Sequence, residues 1–383
     1  MSASQPSHPT RSRRSRSRRG RVATVAALLL ASPVAIPAAA AQAHAPSTPP
    51  AALACSPSAW AESYSDALNK LVVDGDTVGG LSALAYDSRR HAYGSVVDHS
   101  TGELAEIWFF DDPADPHVLG SLVLRRPDGT AYNENDFDGE GLAVLPNGDY
   151  LVSSETEPSV RVFGRDGIQR SELAIPARFL VAPAGEATKN ATLEGLTVSP
   201  DGRTVYAAME GVLSGDISAT TGDATDRRIL VYRLNHHHGY DLVKEIGYQV
   251  DPGNRISEIA AYGSHGLLVL EAAFTAGYGN TIKVYAAPHI TGAADVTQVG
   301  DLGDTGTALL AKKTLVADVA QCPSLGATAP EPQPNPLLDN YEGMTIAPGG
   351  RDCDGLSELL LISDDNFSAA QNTRLLRLTV RLP

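Results

Sequence analysis

A short phrase recurs along this chain, and its spacing constrains the fold more than any other feature. It reads Asp138-Gly139-Glu140-Gly141-Leu142-Ala143-Val144, then Leu193-Glu194-Gly195-Leu196-Thr197-Val198, Ser257-Glu258-Ile259-Ala260 and Tyr341-Glu342-Gly343-Met344-Thr345-Ile346. A weaker copy, Gly79-Gly80-Leu81-Ser82-Ala83-Leu84, puts serine where the others put glutamate. Ser82, Glu140, Glu194, Glu258 and Glu342 are separated by 58, 54, 64 and 84 residues. Such steps fit one supersecondary unit per repeat, with connections of variable length.

Each unit reads as a short alternating strand, a turn and a second, more apolar strand. Pro146-Asn147-Gly148-Asp149 and Ser199-Pro200-Asp201-Gly202 supply the turns, with Asn-Gly and Asp-Gly as hairpin signals. Outer strands are expected near 160–163, 229–234, 281–286 and 374–380. Three or four strands per unit around an axis make an all-β fold, a β-propeller. Five starts and a long last step, with room for an irregular blade over 296–319, predict six blades, with five or seven as alternatives. Residues 46–78 form an N-terminal segment that contributes a ring-closing strand, and 79–383 form one propeller domain. The Pro-rich tract 329–336 reads as a surface loop between blades.

Seven arginines lie between Arg11 and Arg21, ahead of an apolar, Ala-rich run over 22–41 and small-residue sites ending at Ala43 and Ala45. Residues 1–45 read as a secretory signal peptide, Ser17-Arg18-Arg19 leaving both the general and the twin-arginine route open. The expected destination is secreted or cell-envelope, without stable membrane insertion. Removing seven of the 30 basic residues and none of the 45 acidic ones leaves a mature net charge of −22. That balance repels nucleic acid and anionic lipid and suits cations. An oxidising exterior permits one disulfide among three cysteines, with Cys322–Cys353 the expected pair. The expected state is a monomer.

A second acid closes each unit: Asp98, Glu155, Glu210, Glu271 and Asp364 or Asp365. In a hairpin the start of one strand lies near the end of its antiparallel partner, so both acids of a unit should share one mouth of the channel. So many like charges need cations or basic partners, and calcium takes about six to eight oxygen ligands. Candidate catalytic or water-orienting residues are therefore Glu140, Glu194, Glu258 and Glu342, with Glu155, Glu210, Glu271 and Asp365 as metal ligands and Lys189 and Arg255 as substrate contacts. The alternative for these acids is bracing, by hydrogen bonds to backbone amides of the neighbouring blade. His236-His237-His238 reads as an exposed loop, and no serine-hydrolase elbow, His-Glu-x-x-His site or phosphate-binding glycine loop is present.

These motifs resemble the family described by esterase-like activity of phytase, the phytase-like propellers. The resemblance rests on Gly79 to Leu84, Asp98, Asp138 to Gly141, Ser153-Ser154-Glu155, Glu194 with Glu210, Ile256-Ser257-Glu258, and Asp339-Asn340-Tyr341-Glu342-Gly343 with Ser363-Asp364-Asp365-Asn366-Phe367. It implies an exported hydrolase of phosphoric or other esters, with a small-molecule ester or phosphate as substrate and a divalent cation, calcium, as cofactor. One departure is Leu270-Glu271-Ala272, where the family often has Leu-Glu-Arg; it favours the alternative of a non-catalytic binding propeller with structural calcium.

Overall fold

The computed structural model describes residues 53–98, 104–133, 135–349 and 355–383. The signal-peptide reading and Cys353 fall outside these residues. Five antiparallel sheets of four or five strands are strung along the chain, beside a two-stranded one, Val72–Val73 with Asp76–Thr77. The first blade is Ala85–Asp87, Ala92–Val96, Glu106–Phe110 and Val118–Val123; the second is Gly139–Val144, Tyr150–Ser154, Ser159–Phe163 and Gln169–Leu173. The third is Leu193–Val198, Thr204–Met209, Asp226–Leu234 and Tyr240–Gln249, and the fourth is Arg255–Tyr262, Gly266–Thr275, Gly279–Ala287 and Thr314–Asp318. The fifth begins with Tyr341–Ile346, Leu356–Ser363 and Leu375–Arg381, and is completed by the N-terminal strands Ala59–Ser65 and Ala54–Ser56.

The expected hairpin turns are in place. Gly148 and Gly202 sit at φ 89° and 69°, where a side chain would be strained, and their amides close the turns onto Leu145 and Ser199. Alternation then buries one face of each sheet against the next blade. Five apolar clusters result, one at every blade boundary: Phe137, Tyr150 and Phe163 between the first and second, Leu151, Leu196 and Tyr232 between the second and third, and Tyr206, Ile229 and Leu267 between the third and fourth. Leu268, Leu359 and Leu378 lie between the fourth and fifth, and Trp108, Phe110 and Leu360 between the fifth and first. Five boundaries for five blades close the ring.

The expected sixth blade is absent among the described residues. Thr314–Asp318 is the outer strand of the fourth blade, paired with Gly279–Ala287. The chain before it runs along the exposed edge of the third blade, where Val296 and Ala311 donate their amides to the carbonyls of Glu245 and Gly247. The long last step is thus spent on covering an edge strand, a standing need of open sheets. The Pro-rich tract is tied down: Asn335 Nδ2 donates to Cys322 O at 2.6 Å and Arg374 Nη1 to Pro336 O at 2.6 Å.

The disulfide joins Cys55 to Cys322, which corrects the expected partner of Cys322. Cys55 lies on the outermost strand of the fifth blade, next to the end of the fourth, where Ser58 Oγ also donates to Val316 O at 3.0 Å. The bridge closes a loop with a sequence separation of 267 residues and straps the N-terminal strand into the ring. Cys322→Ser is expected to lose about 2–5 kcal/mol; thermal unfolding with and without reductant checks it, and equal melting temperatures would contradict the strap.

Candidate functional site

Both members of the acid repeat owe their position to a β-bulge. Between the first and second strands of the second to fifth blades the pairing slips at the start of the inner strand: Gly139 pairs with Ser154 but Leu142 with Val152, Leu193 with Met209 but Leu196 with Ala207, Ile256 with Glu271 but Glu258 with Leu270, and Tyr341 with Ser363 but Gly343 with Ile362. Bulges re-aim a side chain at the rim of closed sheets, and here they aim residues at the channel mouth. The glycine that follows is required by close approach. A Cβ on Gly141 would lie 2.4 Å from Glu194 O, one on Gly195 2.9 Å from Ile259 N, and one on Gly343 2.5 Å from Ala83 C.

The register aligns the blades residue by residue. The inner position is Ser82, Glu140, Glu194, Ser257 and Glu342, and the facing position on the second strand is Asp98, Glu155, Glu210, Ala272 and Asp364. Glu258 therefore stands where three other blades have glycine. Its Oε1 accepts the amides of Leu196 and Ile259, both at 2.8 Å, which makes it a brace between the third and fourth blades. Glu271 is one residue out of place as well: it accepts from Tyr248 Oη at 2.7 Å, Asp251 N at 2.8 Å, Asn254 Nδ2 at 3.1 Å and Lys313 Nζ at 2.5 Å. Asp365 accepts from Gly80 N at 3.0 Å and Phe367 N at 3.2 Å and pairs with Lys70. In these three expected site residues at least one carboxylate oxygen is held by the protein's own donors.

The others converge. Asp98, Glu342 and Asp364 form one group of carboxylates, Asp98, Asp138 and Glu140 a second, and Glu140, Glu155 and Glu194 a third, the candidate ligand atoms of each group lying within 4.8 Å of one another. Asp98 and Glu140 are shared, so the three groups form one continuous band across the mouth. Ser82 Oγ donates to Glu140 Oε2 at 2.8 Å and lies 3.4 Å from Glu342 Oε2. Asp364 is fully buried; its Oδ1 accepts Asn366 N at 2.8 Å, while Oδ2 has no hydrogen-bond partner among the described residues.

The fourth blade, with Ser257 and Ala272 in place of acids, contributes Arg255 instead, directly across the hairpin from Ala272. Arg255 Nη1 donates to Glu194 Oε1 at 2.8 Å and Glu210 Oε1 at 3.0 Å, and Nη2 to Glu342 Oε1 at 2.6 Å and Asn340 Oδ1 at 3.0 Å. The expected substrate contact is thus a counter-ion for the blades on either side. Lys189, the other expected contact, is exposed, and no ion pair joins it to the band among the described residues.

Electrostatics follow from this crowding. Burial, then the charges of Asp364, Glu342 and Asp138, hold Asp98 well above the ordinary carboxylate range. Burial, then Asp98, Glu194 and Glu155, do the same to Glu140. Burial with Glu210 and Glu155 raises Glu194 against the pull of Arg255, and burial with Glu342 raises Asp364. Glu155 is pushed up to about 8 by burial and Glu210, although Thr192 N donates to it at 2.6 Å. For Arg255, burial disfavours the charge, but Glu342, Glu194 and Glu210 outweigh it and the guanidinium is held well above its usual value. An all-oxygen donor set with an orphaned buried oxygen fits a hard cation.

A closed propeller with one acidic and one apolar mouth is the class these features define; the opposite end is a cavity of about 270 Å³ lined by inner strands of all five blades, among them Leu84, Leu142, Leu196, Ile259 and Met344. The chain belongs to the phytase-like family, described as esterase-like activity of phytase, whose model matches residues 76–367. No curated protein matches it. Among solved structures it is similar to a hydrazine synthase of Kuenenia stuttgartiensis, at 13% identity over 80% of this chain and 66% of that one, with a TM-score of 0.35. It is also similar to a GH43 β-1,3-galactosidase, at 10% identity over 80% of this chain and 58% of that one, TM-score 0.45. The catalytic domain of a Coprinopsis cinerea GH62 α-L-arabinofuranosidase aligns at 11% identity over 82% of this chain and 94% of that one, TM-score 0.41. Likenesses this distant contribute nothing to the functional assignment.

Proposed function

We propose that this protein is an exported, metal-dependent hydrolase of phosphoric esters whose acidic band holds calcium. The observation that carries the reading is the chain of overlapping carboxylate groups from Asp364 to Glu194, in which Asp98, Glu140, Glu155 and Asp364 have no ion-pair partner among the described residues. Asp98, Glu342 and Asp364 would hold one ion, and Glu140, Glu155 and Glu194, with Asp98 and Asp138 alongside, another. When bound, such a cation neutralises phosphoryl oxygens and lowers the pKa of an attacking water. Ser82 fixes the Glu140 carboxylate by its hydrogen bond. Arg255 and Asn340 fix Glu342, which leaves Glu342 Oε2 turned toward Ser82. Glu258, Glu271 and Asp365 hold the blades in register around these groups.

A second reading, a binding propeller with structural calcium, is favoured by Ala272 and by the braced acids. Turnover of phenyl phosphate, a phosphodiester, phytate and a carboxyl ester, each with calcium and with chelator, separates the two. Chelator is expected to abolish turnover, and Glu140→Gln to lower kcat/KM by about 10²–10⁴-fold, the scale of losing a group that acts on a proton or the water. Calcium that raises the melting temperature without turnover of any ester would leave the binding reading in place.

A further inference from the structure

Beside the acidic band lies a cavity of about 370 Å³, walled by Val97, Leu104, Trp108 and Phe367 and rimmed by Asp76 and Glu106. Two of its wall residues adjoin band residues along the chain: Val97 precedes Asp98, and Phe367 follows Asp364 by three residues. The wall nearest to Asp98 is the Phe367 ring. A Cβ on Gly80 would lie 2.6 Å from Phe367 Cε2 and 2.4 Å from Asp98 O, and one on Gly79 3.1 Å from Phe367 Cε1. The ring therefore rests against the two glycines, with the backbone carbonyl of Asp98 against the same face of Gly80.

That placement is bought with backbone strain. Asn366 and Phe367 stand at φ 45° and 50°, a left-handed pair that is unusual for any residue and an outlier for an aromatic one. The two carboxylates before them hold the conformation: Asp364 Oδ1 accepts Asn366 N at 2.8 Å, and Asp365 Oδ1 accepts Phe367 N at 3.2 Å and Gly80 N at 3.0 Å. Lys70 locks Asp365. Strain of this kind persists where the surroundings over-determine it, and it clusters at ligand clamps. Here it positions one partly buried aromatic ring in the wall that Trp108 also lines.

The lining has no lysine, arginine or histidine among the described residues and includes Asp76. It suits an apolar or aromatic group without negative charge and disfavours a second phosphate. We propose that this cavity takes the ring of an aryl phosphate monoester whose phosphoryl group sits at Asp98, Glu342 and Asp364, so that multiply phosphorylated polyols are poor substrates. This rests on the hydrolase reading above. Water oxygen forms the new bond to phosphorus, the bond to the aryl oxygen breaks with its electron pair, and a water proton ends on the phenol.

The test compares phenyl phosphate with methyl phosphate in the wild type and in Phe367→Gly, since glycine accepts the left-handed backbone and removes only the ring. The ratio of kcat/KM for phenyl over methyl phosphate is expected to fall about ten- to a hundredfold, the scale of burying one aromatic ring, and Phe367→Leu to restore part of it. An unchanged ratio, or phytate turned over in preference to phenyl phosphate, overturns the proposal. If neither ester is hydrolysed, the hydrolase reading fails and the cavity is tested alone. Trp108 is one of two tryptophans, and in a Trp60→Phe background saturable quenching of its emission by phenyl phosphate, lost with Phe367→Gly, sustains the site. No quenching removes it.

Discussion

Arg255→Met is expected to cost about 3 kcal/mol of folding stability in chelator at neutral pH, and to do so without disturbing the apolar core. Three carboxylates would lose their shared cation: Glu194, Glu210 and Glu342, whose side chains are 4%, 15% and 8% exposed. Removing one partner of a buried ion pair typically costs about 3–5 kcal/mol, because the survivors stay buried and uncompensated. The lower end applies because 26% of the Arg255 side chain is exposed. For a chain of this size that is roughly a 4 °C fall in melting temperature. Calcium should recover much of it, since the three freed acids extend the band that already offers oxygen ligands. Arg255→Lys should recover only part, because a single ammonium cannot span two neighbouring blades with four donor contacts. Thermal unfolding of the three proteins, in chelator and in calcium, reads this directly. A methionine variant as stable as the wild type in chelator would show that Arg255 is not the counter-ion of the mouth.

The architecture was legible because the repeat is a packing device before it is a chemical one. Gly141, Gly195 and Gly343 are needed where one inner strand meets the next, and the turns after Leu145 and Val198 carry residues that only such turns require. Blade number was harder to read. A connection that covers an edge strand and a connection that makes a blade have similar lengths and composition, so 296–319 resembled a sixth unit. The cysteine pairing depended on which strand ends up outermost in the closing blade, a tertiary fact with no local trace.

The residues at the channel mouth were legible in three blades, and the fourth blade's positions are displaced by one residue. Period-two structure makes a single-residue slip reverse the direction of every side chain. In the second, third and fifth blades the Glu-Gly pair marks the bulge, so the position of Glu140, Glu194 and Glu342 on the inner strand can be read from the sequence. The fourth blade has no glycine there, and matching glutamate to glutamate selected Glu258 and Glu271 when the register selects Ser257 and Ala272. Asp365 was preferred over Asp364 for want of the same information. Arg255 was singled out by its position before a repeat glutamate, but only the small residues at 257 and 272 explain why a guanidinium fits between acids from the third and fifth blades. One blade has exchanged two acids for a base, and the band is thereby divided into a part neutralised by the protein and a part that is not.

The unneutralised part sets the pH dependence. In chelator, the wild type is expected to lose stability as pH rises from about 5.5 to 8, the reverse of ordinary acid denaturation. Glu155 illustrates the sign. Its carboxyl titrates near 4.5 when free and near 8 in the fold, so between those values the folded protein binds more protons than the unfolded chain, and stability falls as pH rises. The contribution is complete below about 4.5 and gone above about 8. Asp98, Glu140, Glu194 and Asp364 shift in the same direction. Asp251 opposes them, because Tyr285, Lys283 and Lys313 overcome its burial and hold it below the ordinary range; its contribution is lost only at pH values below that range, outside this window. Calcium should invert the trend. Ion binding needs the deprotonated carboxylates and so strengthens with pH, and a ligand at a hundred times its Kd stabilises by about 2.7 kcal/mol, or roughly 4 °C here. The melting-temperature shift on adding calcium should therefore be larger at pH 8 than at pH 5.5. A shift of equal size at both pH values would place the ion away from these carboxylates, and an apo protein more stable at pH 8 than at pH 5.5 would mean that the band is already neutralised by the chain itself.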